Sequence, residues 1–93
     1  MYATIRRYEN NPDLADRLAA RSDEIRALIS GVAGFRAYHL VRSDDGTASI
    51  TVCDDKAGTE ESNRLAASWL QENMPGAMPA APQVTAGEIV VNF

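Results

Sequence analysis

His39 is the only imidazole in the chain, and so the only side chain whose ordinary pKa lies near neutrality, which suits a general base. It alternates along a strand-like stretch with Phe35, Ala37 and Val41. If Phe35 points at the helices of the fold, His39 points into or beside a pocket; otherwise it is a half-wet histidine on an edge strand. Four of the eight arginines, Arg6, Arg7, Arg36 and Arg42, also fall on strand-like stretches. Arg7, near a strand end, and Arg36 are candidates to hold a carboxylate or phenolate by paired bonds, with dispersed surface charge as the alternative. Arg6 and Arg7 fall on opposite faces, so at most one of them serves a given site. Cys53 is the one cysteine, which excludes an internal disulfide and a multi-cysteine zinc site. With no basic neighbour to lower its pKa it reads as a small buried residue more than a nucleophile, and it is retained as a ligand-contact candidate. Asp44-Asp45 and Asp54-Asp55 look like a turn and a helix-capping pair without the spacing of a metal site, and no metal is expected. Phosphate loops, nucleophile elbows and zinc motifs are absent from the sequence.

These residues sit on a chain of 93, long enough for one domain spanning 1–93 and too short to divide its apolar side chains between two cores. Hydrophobic residues make up 45% and charged residues 24%, and no apolar run approaches the ~20 residues of a membrane-spanning helix. The net charge of −4 argues against a nucleic-acid partner, which needs clustered positive charge. The N-terminal residues have no signal-peptide pattern, and a cytoplasmic location is expected.

The elements that must position the candidates follow from periodicity. Tyr2 to Tyr8 alternates as a strand, with Ala3, Ile5 and Arg7 on one face and Tyr2, Thr4, Arg6 and Tyr8 on the other. Asn11-Pro12 opens a helix, and Leu14, Leu18, Ile25, Leu28, Ile29 and Val32 carry it for about five turns until Gly31 and Gly34 end it. Strands over Phe35 to Arg42 and Thr47 to Asp54 are joined by an Asp-Gly hairpin. Thr59 caps a second helix, whose stripe of Leu65, Ala66, Trp69 and Leu70 makes Trp69 a core residue, and Pro75 stops it. The uncharged segment from Pro75 to Gln83 reads as an ordered connection, and Val84 to Phe93 as the last strand. The expected fold is therefore α+β and ferredoxin-like, βαββαβ, with a four-stranded antiparallel sheet and two helices on one face. Tyr38, Leu40, Val90, Tyr2 and Thr4 are the candidates for the uncovered face, which is too apolar to stand in water, so a homodimer through sheet-to-sheet packing is expected.

Three stretches, Gly34-Phe35-Arg36-Ala37-Tyr38, Ser49-Ile50-Thr51-Val52 and the helix from Glu60 to Leu70 that carries Trp69, resemble the antibiotic-biosynthesis-monooxygenase-like small proteins, the dimeric α/β barrels. The resemblance implies a pocket between each subunit's sheet and helices, with Trp69 facing it. Haem degraders of that group add a strand Asn and an iron-ligating His on the second helix. Here Arg7 stands about where the Asn would be, and no His follows Leu70, so no cofactor is expected. Cofactor-free members use the Trp with nearby Arg, Tyr or Asn to bind and deprotonate a phenol, which singles out Asn63 as a ligand-binding residue beside Arg7 and Cys53, with His39 and Trp69 as catalytic candidates. The implied function is a small-molecule pocket taking an apolar or aromatic ligand, as a cofactor-independent monooxygenase on an aromatic or polyketide-like substrate or as a non-catalytic binding or dimerisation module.

Overall fold

A computed structural model of the chain describes residues 1–9, 11, 13–74 and 81–93. The elements run β1 (Tyr2–Glu9), α1 (Asp13–Ala19), α2 (Ser22–Ser30), β2 (Phe35–Ser43), β3 (Gly46–Cys53), α3 (Lys56–Asn73) and β4 (Gln83–Glu88). The strands form one antiparallel sheet in the order β2-β3-β1-β4, the ferredoxin-like arrangement expected from the sequence. No helix among the described residues is long and apolar enough to cross a membrane.

The first helix is broken, where the periodicity predicted one continuous element. Arg21 donates its amide to Leu18 O while Glu24 and Ile25 donate theirs back to Arg21 O, so one turn closes and a new one starts. The physical reason lies in Ser22-Asp23-Glu24: small polar and acidic residues favour a helix start over an interior, because their side chains compete with the ladder and suit the positive end of the dipole. Pro12 lies outside the described residues, as do residues 75–80 of the proline-rich connection. The start of α1 is held from the sheet, since the Thr47 hydroxyl accepts from Ala15 N at 3.0 Å and donates to Asn11 O at 2.8 Å.

Three boundaries differ from expectation. Asp55, not Thr59, caps α3, accepting from Gly58 N at 3.0 Å, and Thr59 lies buried in the first turn with its hydroxyl donating to Lys56 O. Gly31 ends α2 in a right-handed conformation, and it is Gly34 that takes a positive φ of 80°. The ladder of β4 closes at Glu88, followed by a single further bond from Ile89 N to Met1 O.

Alternation decides what the helices see. Tyr2, Thr4, Arg6 and Tyr8 of β1 stand in register with Cys53, Thr51, Ser49 and Thr47 of β3, on the covered face. Between β2 and β3 the register slips at Phe35/Ala37. This bulge puts Phe35, Tyr38 and Leu40 together against the core of Tyr8, Leu14, Leu18, Ile25, Ile29 and Leu70. Tyr2, Thr4, Tyr38 and Leu40, which the sequence suggested for the uncovered face, therefore do not belong to it; Ala3, Ile5, Ala48, Ile50 and Val52 do. Val90 is exposed beyond the end of β4.

Candidate functional site

At the centre of the covered face lies Arg6, only 2% exposed. Its Nε donates to Ser49 Oγ at 2.9 Å, its Nη2 to Thr51 Oγ1 at 2.9 Å, and its Nη1 to Asn63 Oδ1 at 2.8 Å and Ser62 Oγ at 3.3 Å. The hydrogen-bonding capacity is nearly filled, yet every one of these acceptors is neutral. No carboxylate among the described residues forms a salt bridge with Arg6, although six surface pairs involve other cations. A guanidinium taken out of water without a counter-ion costs several kcal/mol that hydroxyl partners only partly offset. Burial pushes Arg6 down from its ordinary value, with the Tyr8 and Tyr38 phenols opposing the shift; arginine keeps its charge in proteins nonetheless.

Burial pushes the Tyr8 and Tyr38 phenols up, against the pull of Arg6, so both stand as neutral donors. With Arg6, Ser49 and Trp69 they line an inner cavity of about 30 Å³ between the sheet and α2 and α3. Trp69 is half-buried, and the Arg21 guanidinium lies 4.9 Å from its ring centroid, held by Glu24 and by Asn73 Oδ1. That arrangement fixes the indole by a cation–π contact. Next to the cavity an open groove of about 920 Å³ runs between the first two helices and β2, past Phe35 and Leu40. Tyr38, Leu18, Ile25 and Ile29 are walls of both.

The residues singled out from sequence separate into three places. Trp69 lines the cavity, and Asn63 reaches its rim through Arg6, accepting also from Thr4 Oγ1 at 3.0 Å. Arg7 is exposed on the other face of the sheet, paired with Glu9. His39 is exposed and in register with Ile50, also on the uncovered face, because the bulge after Phe35 inverts the alternation that linked the two. Arg36 pairs with Asp54 at the surface. Cys53 is fully buried beneath the start of α3, so close that a Cβ on Gly58 would meet its Cβ at 2.8 Å. Its thiol is pushed up by burial, then by Asp55 and Asp54, and it lies outside the residues that line the cavity and groove. The arginine that enters the site is thus Arg6, read from sequence as surface charge. The signal that could have found it was its place among Thr4, Tyr8, Ser49 and Thr51 on one face of two central strands.

Haem does not fit this site as a ligated group. No imidazole or thiolate lines the cavity or groove, and burial disfavours a Tyr38 phenolate that would otherwise offer iron an oxygen. No metal-holding cluster of His, Cys, Asp and Glu occurs among the described residues.

No protein-family profile matches the sequence. No curated protein matches it either. Solved structures do. A protein of unknown function from Nitrosomonas europaea superposes with a TM-score of 0.75 at 19% identity, over 99% of this chain and 91% of that one. The heme-degrader MhuD from Mycobacterium tuberculosis, with two hemes bound in its active site, gives 0.70 at 13% identity, over 100% and 99% of the two chains. SnoaB, a cofactor-independent oxygenase from Streptomyces nogalater, gives 0.56 at 19% identity, over 99% and 93%. At these identities the likeness is one of fold, and the chain has the ferredoxin-like fold of the antibiotic biosynthesis monooxygenase-like proteins.

Proposed function

We propose that the chain is a small-molecule pocket protein acting as a cofactor-independent monooxygenase on an aromatic or polyketide-like substrate. The observation that carries this reading is the groove of about 920 Å³, walled by Phe35 and Tyr38, opening beside a cavity that holds Trp69 and a buried cation. A volume of this order accepts a ligand of a few fused rings. In such a reaction an activated methylene flanked by aromatic rings becomes a carbonyl: one atom of O₂ replaces its two hydrogens, and the other leaves with them as water. The substrate supplies all the electrons, so the protein's task is to exclude water and stabilise the carbanion or phenolate that reduces oxygen. Arg6 is placed for the second task and the apolar walls for the first.

One specific observation favours a second reading, a binding module without turnover. His39 and Arg7 lie on the opposite face of the sheet, which leaves the inner cavity, among the described residues, lined by donors and a cation with no imidazole or carboxylate to serve as a base. Oxygen uptake with a panel of anthrones, hydroquinones and phenols separates the two. The monooxygenase reading expects consumption that falls at least tenfold in Trp69→Ala. Thermal stabilisation by the same compounds with no oxygen consumed favours the binding module, and no stabilisation by any of them reduces the cavity to core.

The uncovered face supports a homodimer. Ile5, Ile50 and Val52 lie there only partly buried in the single chain, and a second sheet would cover them.

A further inference from the structure

We propose that Arg6 makes the site a reader of ionised ligands, with an aromatic carboxylate or phenolate seated in the inner cavity and its apolar body in the adjoining groove. The proposal rests on the pocket reading above and adds the charge of what fills it. The inner cavity is lined by a guanidinium, the Tyr8 and Tyr38 phenols and the Ser49 hydroxyl, all of which can donate and none of which carries negative charge. Its roughly 30 Å³ is room for about two water-sized groups, the size of a carboxylate. Four neutral bonds occupy most of the fork, and the weakest, to Ser62 at 3.3 Å, is the one an incoming anion would displace most readily.

Position 63 sharpens the case. Asn63 uses only its Oδ1, accepting from Thr4 and Arg6; since Arg6 can only donate, that atom is the oxygen. An aspartate would keep both bonds and neutralise the guanidinium in place. The chain carries the neutral isostere instead, and the positive charge is left for a ligand. The groove is lined mainly by apolar side chains, together with Ser22, Asp23, Arg26 and Ser30; its one carboxylate among the described residues, Asp23, is exposed and forms no salt bridge with Arg6.

Matched ligands test this with the whole protein, and Trp69, the one tryptophan, reports binding by its fluorescence. The carboxylate arm compares 2-naphthoate with 2-naphthamide and the phenolate arm 4-nitrophenolate with 4-nitroanisole. The ionised member of at least one pair should bind at least tenfold more tightly to the native chain. In Asn63→Asp that preference should disappear while the melting temperature holds or rises, and in Arg6→Lys, which keeps the charge, it should persist in reduced form. Equal binding of acid and neutral isostere, or a preference that survives in a folded Asn63→Asp, overturns the charge assignment and leaves the pocket standing. If no member of either pair binds, the pocket reading fails and this one with it.

Discussion

Three protons held by burial, two in the cavity lining and one outside it, give the folded chain a pH signature. The Tyr8 and Tyr38 phenols and the Cys53 thiol are all raised, by burial first, from ordinary values of 10.0 for the phenols and 9.0 for the thiol. Each must give up its proton more reluctantly in the folded chain than in the unfolded one. Their contribution to stability is therefore fully present below the unfolded values and is lost as pH rises through them toward the folded ones. Melting followed by circular dichroism should be flat through neutrality and fall above about pH 9, with Tyr38→Phe softening the fall; a midpoint unchanged to strongly alkaline pH would contradict the burial of these groups. Arg6 shows why the sequence pointed to Arg7, which the fold places on the other face of the sheet. Alternation says that Arg6 and Arg7 face opposite ways, but not which way is in, and charge suggests surface for both. What decides it is the company of Thr4, Ser49, Thr51, Ser62 and Asn63, which spans three elements and becomes readable only once they are registered against one another.

At the scale of elements, strand periodicity and the Asp-Gly turn made β1, β2 and β3 legible, and the stripe around Trp69 made α3 legible. What failed was phase. A single bulged position after Phe35 moves His39 from the pocket side to the uncovered face, and nothing in local composition announces a bulge. The break between α1 and α2 was signalled by Ser22-Asp23-Glu24, but the apolar spacing overrode it. The start of α3 gives an element-scale prediction. Asp55 is extended, with φ −141°, and accepts from Gly58 N, whereas the expected cap Thr59 lies inside the helix. Asp55→Ala should cost about 1 kcal/mol, lowering the melting temperature by roughly 4–8 °C for a domain of this size. Asp55→Asn, which keeps the acceptor, should cost little. Equal losses in both would mean that the carboxylate charge near the helix dipole, not the cap bond, stabilises this end.

Across the whole molecule, the two central strands place a polar cluster on the covered face of the sheet beside the apolar core that Tyr8, Phe35, Tyr38 and Leu40 join. Those strands turn Thr4, Arg6, Thr47, Ser49 and Thr51 toward the helices, where all are buried. They turn Ile5, Ile50 and Val52 away from them, where each is only partly covered. A register slip that exchanged the faces would bury more hydrocarbon within one chain but would tear apart the Arg6 network. The fold keeps its polar centre under α3 by sending Ile5, Ile50 and Val52 outward, and a chain of 93 residues is short of core to begin with. A second copy packed on Ile50 is the arrangement that satisfies both faces, and this prediction is independent of the ligand. Sedimentation of the native chain at micromolar concentration should give twice the protomer mass, with a melting temperature that rises with concentration, as expected when folding and association are linked. Ile50→Asp sets a carboxylate opposite Ile5 in the middle of that surface; it should sediment as a single protomer and melt at a lower, concentration-independent temperature. A native chain that sediments as one protomer under the same conditions would leave Ile5, Ile50 and Val52 in water and refute the pairing.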